Sequence, residues 1–278
     1  MAANTDLIAV QEPRWSAGFR NLLRKENGAW WGTRHWWMQI LIWLVIWNGI
    51  YAVTLWIVPR IVETTAGAQE VAESFDVAGQ ALGFFSAGAL FVGIGVVMLA
   101  QGLILDEKRS GTLDFILSKP VARAAVILSK FTASGLGILI SIVLVQGVIG
   151  YLQLSAYAGS AWSIPAFAGA LALLGVYLLF FLALSLFLGT VFNSRGAIIG
   201  IPLVLIMGAD LMLGALPQIA YVTPYGLISG AAGPESGPLA GMILLGEPVT
   251  SITPLVGTIL LTVGLLAAAI WRFEREEF

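Results

Sequence analysis

Six long apolar stretches dominate this sequence, and each is long enough to cross a lipid bilayer as an α-helix. A crossing helix needs about 20 apolar residues, because its backbone must satisfy all its hydrogen bonds internally. Only 11% of the residues are charged and the mean hydropathy is +0.90, whereas soluble domains carry about 25% charged residues. We therefore predict an all-α membrane protein with six transmembrane helices, at 36–58, 81–105, 126–154, 165–192, 196–216 and 252–271.

The basic residues fall almost entirely on alternate connections between these stretches. Of the 14 Lys and Arg residues, all except Arg60 lie in the N-terminal segment, the 106–125 loop, the start of the third span, the 193–195 turn or the C-terminal tail. Lys and Arg collect on the cytoplasmic side of membrane proteins. We predict that both termini are cytoplasmic, in a multi-pass protein of the inner or plasma membrane. The predicted parts are a cytoplasmic segment 1–35, a transmembrane domain 36–273 and a tail 274–278.

The segment before the first span has the pattern of an amphipathic helix. On a helical wheel, one face is aromatic and aliphatic and the opposite face is basic. Such a helix lies well in the membrane interface, and a simple anchor next to the membrane would have the same pattern. The residues of this predicted interfacial helix are Trp15, Phe19, Leu22, Leu23, Arg24 and Lys25, with Arg20 on the basic face.

The connection between the fifth and sixth spans, 217–251, has an unusual composition for its length. Its 35 residues include only two charged ones, Glu235 and Glu247, and many glycines and prolines. Its apolar pieces, 227–228 and 239–245, are too short to span a bilayer. We predict short re-entrant or interfacial helices on the outer face, where protein covers their backbone.

Residues that could carry out catalysis are scarce. The sequence has no cysteine, and its one histidine, His35, has no second histidine or carboxylate cluster to form a metal site. No P-loop motif is present. We therefore predict that the chain is not an enzyme. We also expect no metal or cofactor on it and no nucleic-acid partner.

Asp210 is the one ionisable residue deep inside a predicted span. A charge at that depth is costly, so the side chain should face protein or water. It could line a translocation path, or it could be a structural carboxyl that forms hydrogen bonds within the helix bundle. In the first case the chain could also be an ion-coupled transporter or a channel. A third alternative is a membrane protein that anchors or assembles a complex without transport.

The 106–125 loop holds the densest cluster of charge in the sequence around a short apolar group, Leu113, Phe115, Ile116 and Leu117. A plain connecting loop would not need these side chains, because leaving each one in water forgoes roughly 1.5–3 kcal/mol. They should dock onto the lipid headgroups or onto another protein.

This loop resembles the corresponding region of type-2 ABC exporter permeases. The resemblance lies in Glu107-Lys108-Arg109, followed by Gly111-Thr112-Leu113-Asp114, an apolar triplet, Ser118-Lys119-Pro120-Val121 and then Arg123. The 19–26 segment and the six-span architecture are similar as well. The resemblance implies that two permease chains pair in the membrane. It also implies that each docks a separate ATP-binding subunit, which holds ATP and Mg²⁺.

In such a permease, the loop between the second and third spans forms a coupling helix that fits a cleft in the ATPase. Thr112 could cap this helix and Pro120 could end it and start the next one. The apolar spans would suit a lipid-like or amphiphilic cargo, and the family implies export. The residues that the resemblance assigns to docking are Glu107, Arg109, Gly111, Thr112, Leu113, Asp114, Phe115, Ile116, Leu117, Ser118, Pro120 and Arg123.

Overall fold

The computed structural model describes residues 16–65, 75–233 and 235–276, without the side chains of Asp114 and Leu117. Within these ranges the chain forms helices and no β-strands, which confirms the predicted all-helical fold. The helices are α1 Phe19–Trp31, α2 His35–Thr65, α3 Val77–Arg109, α4 Thr112–Leu117, α5 Arg123–Ala158, α6 Ile164–Val191, α7 Arg195–Met207, α8 Ala209–Ala215, α9 Tyr225–Ile228, α10 Leu239–Leu245 and α11 Thr253–Glu274.

Five of these helices, α2, α3, α5, α6 and α11, are long and apolar enough to cross a membrane in the part of the chain that is described. They extend beyond the predicted apolar cores at several ends. The second span continues through Arg109 and the third begins at Arg123. The extra turns carry charged side chains that the apolar pattern could not include, because a helix can continue past the hydrocarbon layer into the polar interface.

The fifth predicted span, 196–216, is broken. Helices α7 and α8 meet at Gly208 with a bend of 57°, so the pair makes a sixth crossing only if it counts as one span. Glycine is a poor helix former by about 1 kcal/mol relative to alanine. The side chain of Tyr225 donates a hydrogen bond to the Leu205 carbonyl, at 2.8 Å, near the break. A residue far along the chain therefore contacts the backbone of α7 beside the break.

Helix α6 is the centre of the bundle, and most of its residues are buried. It packs against α3, α10 and α11. Helix α11, by contrast, buries only four residues, Pro254, Thr258, Ala269 and Phe273, and several of its other apolar side chains, such as Leu260 and Val263, are exposed. In a membrane protein such a surface faces lipid or a second transmembrane subunit.

Three spans contain π-helical segments, Leu44–Asn48, Gly88–Val92 and Ile138–Leu144. Near them a buried polar network joins α2 to α5. The Asn48 amide donates to Gln146 Oε1 at 2.7 Å, and the Gln146 amide donates to the Ile40 carbonyl at 2.9 Å. Gln153 donates to Asn48 Oδ1 at 3.1 Å. These bonds satisfy polar groups that would otherwise be costly inside a membrane protein.

We expect Gln146→Leu to destabilise the protein by about 1–2 kcal/mol, because it leaves the Asn48 amide without its 2.7 Å acceptor. Adding Asn48→Leu should cost less than the sum of the two single changes, since both partners then become apolar. Thermal unfolding of the purified protein and its variants measures this. Strictly additive losses would show that the two amides do not act as a pair.

The connection between α8 and α11 holds a 3₁₀ turn, Pro217–Val222, and the short helices α9 and α10. All four residues of α9 are buried, and so are five of the seven in α10. The Trp162 indole N–H donates to the Leu244 carbonyl at 3.2 Å, which ties α10 to the start of α6. Other parts of the protein therefore cover both short helices, α9 and α10.

Candidate functional site

Four parts of the chain meet at one end of the bundle, which we call the charged end. They are α1, the α3–α4–α5 connection, the turn between α6 and α7, and the end of α11. For example, Arg109 donates to the Asn193 carbonyl at 3.0 Å, and the Arg195–Asp106 ion pair spans 2.8 Å. The connections that the sequence places on one side of the membrane therefore do lie together.

The α3–α4–α5 connection is a compact helical knob. Gly111 turns the chain with φ +69°, a value that favours glycine. Its carbonyl accepts the first hydrogen bond of α4, from Phe115 N–H at 3.4 Å. The expectation that Thr112 caps this helix is wrong, because Thr112 is its first helical residue and its hydroxyl pairs with Ser110 Oγ at 2.7 Å.

Other predicted details of the loop also need correction. Glu107 and Arg109 lie on the last turn of α3, and Arg123 is the first residue of α5. Pro120 neither ends α4, which stops at Leu117, nor starts α5. The true connection is therefore shorter than 106–125, and its two ends are continuous with membrane-spanning helices.

The apolar side chains of the knob point in different directions. Leu113 is fully buried at 0% exposure, so it anchors α4 to the bundle and does not project for docking as the sequence led us to expect. Phe115 is 65% exposed, and Ile116 is partly buried against the core. The side chains of Asp114 and Leu117 lie outside the described part of the structure, as does Trp15 of the predicted interfacial helix.

The exposed surface of the knob, which we call the knob tip, consists of Phe115, Ser118, Lys119 and Pro120. The Lys119 ammonium lies 4.4 Å from the centre of the Phe115 ring, and the Ser118 hydroxyl donates to the Phe115 carbonyl at 2.8 Å. The lysine is within cation–π distance of the ring, and aromatic residues are enriched at protein interfaces.

Helix α1 lies along α5 and beside the knob. Its Leu22 and Trp30 are buried in the bundle, and Gly137 lies directly under the Trp30 ring, where a Cβ would overlap it. The Ala122 N–H donates to the Ala17 carbonyl at 3.0 Å. A groove of about 390 Å³ remains between α1 and α4, with Phe115 and Ile116 in its lining. Of the other predicted interfacial residues, Phe19 and Leu23 are partly buried and Arg24 and Lys25 are exposed.

An ion network around the buried Lys130 joins α1, α3 and α5. The Lys130 ammonium, only 4% exposed, lies 3.1 Å from Glu26 and 3.0 Å from Glu107. Lys25 lies 2.6 Å from Glu107 and 3.4 Å from Glu26. Burial alone would lower the pKa of Lys25, but its hydrogen bond to Glu107 and the charges of both glutamates raise the pKa above its ordinary value. The lysine therefore stays charged at physiological pH.

The network was not apparent from the sequence, although one signal was present. Lys130 stands inside the third apolar stretch, where an unpaired lysine would be costly. Its partners lie 104 and 23 positions away, so spacing alone could not identify them. The resemblance assigns Glu107 to docking, but in the structure its carboxylate forms ion pairs with Lys25 and Lys130 of the same chain.

A second set of contacts ties the knob to the C-terminal helix. The Lys108 ammonium lies 2.8 Å from Glu276 and donates to the Thr190 carbonyl at 3.2 Å. The Arg123 guanidinium donates to the carbonyls of Phe273 and Glu276, at 3.0 and 2.7 Å. Both ends of the knob are therefore bound to the helices beside them.

Asp210 lies far from the charged end. It follows the bend at Gly208, in the first turn of α8, and is exposed on the lining of a cavity of about 530 Å³. The cavity lies in the opposite half of the bundle, since it is lined by the first turns of α3, whereas the charged end holds the last turn of that helix.

The comparison with known families agrees with this architecture. The model of the family described as "ABC-2 family transporter protein" matches residues 32–278, which leaves only α1 and the residues before it outside the match. No curated protein matches the chain. Members of this family are transmembrane subunits that work with a separate ATP-binding subunit. The chain belongs to the ABC-2 transporter family and is a multi-pass membrane permease subunit.

Proposed function

We propose that this chain forms the translocation path of an ATP-driven exporter in the inner or plasma membrane. Its charged end faces the cytoplasm and docks a separate ATP-binding subunit through the knob. A second permease chain completes the membrane part, and the ATP-binding subunits hold ATP and Mg²⁺. The positive-inside distribution of Lys and Arg supports this orientation.

The observation that carries the proposal is the construction of the knob. Phe115 is exposed at the tip, while Leu113 behind it is fully buried in the bundle. A partner that binds Phe115 and moves α4 would therefore also move Leu113, which anchors α4 to the bundle. Exposed aromatic side chains that enter a partner's pocket often dominate the binding energy of an interface.

The contacts around the knob suggest how such a movement would act on the spans. Glu107 at the end of α3 and Lys130 in α5 are joined by an ion pair of 3.0 Å. Arg123 at the start of α5 is bound to the end of α11. Closure of two ATP-binding subunits would thus tilt α3, α5 and α11 as one unit and change the access to the path.

We expect Phe115→Asp to weaken binding of the ATP-binding subunit at least tenfold, because it removes an exposed anchor and adds a negative charge to the tip. Co-purification of an ATP-binding subunit from mild detergent, after expression of the chain with its native gene neighbourhood, measures the loss. Val249→Asp is the matched control, since Val249 is an exposed apolar residue of the connection between α10 and α11.

Both variants should still insert in the membrane and elute as the unmodified permease does. Equal retention of the ATPase by Phe115→Asp and Val249→Asp would refute docking through the knob tip. Cargo flux that needs an ion gradient and no ATP would instead favour the ion-coupled alternative.

A further inference from the structure

The cavity beside Asp210 is open and has a mixed lining. It lies where α3, α6 and the α7–α8 bend meet the short helix α9. Its volume of about 530 Å³ falls within the range of small-molecule sites. The side chains that line it include three apolar ones, of Leu82, Leu90 and Met207, and three that carry a hydroxyl, of Ser86, Tyr177 and Ser229.

Asp210 gives this cavity a single negative charge. The 57° bend at Gly208 turns α8 away from the line of α7 and brings Asp210 to the lining. No hydrogen bond or ion pair of its carboxylate is found in the described part of the chain. The carboxylate is therefore available to pair with a cation that enters the cavity.

The lining also limits what could balance that charge. No group of three or more His, Asp or Glu residues that could hold a metal ion is present among the described residues. One carboxylate is a poor site for Mg²⁺ or Ca²⁺, which take several oxygen ligands. It is sufficient for a monovalent organic cation whose apolar body contacts Leu82, Leu90 and Met207.

We propose that this cavity binds amphiphilic organic cations and that Asp210 is their counter-charge. The proposal rests on the proposed function, since it names the class of cargo that the permease would take up. The hydroxyls of Ser86 and Ser229 offer acceptors for an N–H group of the ligand, and the apolar wall holds its hydrocarbon part.

The test uses two ions of the same shape and opposite charge, tetraphenylphosphonium and tetraphenylborate. Binding to the purified, detergent-solubilised permease is measured by equilibrium dialysis, without any ATP-binding subunit. The unmodified chain should bind the cation at least tenfold more tightly than the anion. Equal affinity for the two ions would overturn the proposal.

Asp210→Asn should weaken binding of tetraphenylphosphonium about tenfold or more and leave tetraphenylborate unchanged or bound more tightly. The matched control is Asp76→Asn. Asp76 accepts a hydrogen bond from Gly79 N–H at 3.1 Å at the start of α3, a role that asparagine also fills. Unchanged binding of the cation by Asp210→Asn would contradict the assignment of the counter-charge.

A variant that reduces the volume of the cavity complements the variant that removes the charge of Asp210. Ser86 is exposed on the cavity lining, so Ser86→Trp should fill part of the cavity without disturbing the core. It should reduce the affinity for both ions, and full binding in this variant would place the site elsewhere. Because the ATP-binding subunit is absent from these measurements, their failure would leave docking through the knob intact.

Discussion

Lys130→Met should destabilise the permease by about 3–5 kcal/mol, which is a large share of the stability of a typical domain. The lysine is 4% exposed and lies about 3 Å from both Glu26 and Glu107. Methionine fills a similar volume but leaves two carboxylates facing each other with only Lys25 between them. Thermal unfolding of the purified permease measures the loss.

Two further variants show whether the unpaired charge causes this effect. Adding Glu107→Gln to Lys130→Met should recover part of the lost stability, because one of the uncompensated carboxylates is then neutral. Arg195→Met breaks the Arg195–Asp106 pair, whose side chains are 53% and 54% exposed. That change should cost about 1 kcal/mol or less. If Lys130→Met were as mild as Arg195→Met, the network would not hold α1, α3 and α5 together.

Leu113→Ala should cost about 2–5 kcal/mol, because it opens a cavity where a fully buried leucine anchors α4. The exposed Phe115 remains, so the ATP-binding subunit should still bind. We expect the loosened knob to transmit less of the movement, which would lower transport for each ATP hydrolysed. Thermal unfolding, co-purification and flux separate these three effects.

Phe115→Ala is the matched comparison for this experiment, since it truncates the exposed neighbour on the same helix. It should cost little stability but weaken binding of the ATP-binding subunit. If Leu113→Ala lost binding and Phe115→Ala retained it, the assignment of anchor and tip would be reversed.

The sequence was informative wherever a local pattern decides the structure. Runs of apolar residues located the long helices, and the alternation of basic residues identified the connections that meet at the charged end. Both signals follow from the bilayer itself, which demands apolar helices and sorts Lys and Arg between its sides.

The features that the sequence did not reveal depend on distant contacts. The bend at Gly208 occurs where Tyr225, seventeen positions later in the sequence, reaches back to the α7 backbone. Leu113 and Phe115 are both apolar members of one short helix. Only the packing of α4 against the rest of the bundle decides which of them is buried.

The most direct test of docking through the knob uses the absence of native cysteines in this chain. Ser118→Cys and Val249→Cys, each labelled with a photoreactive maleimide, provide single crosslinking positions at the knob tip and at a distant exposed site, and both leave Phe115 in place. Illumination of the assembled complex should join residue 118, and not residue 249, to the ATP-binding subunit. A complex that hydrolyses ATP but yields no crosslink from residue 118, or equal crosslinks from both, would contradict the account.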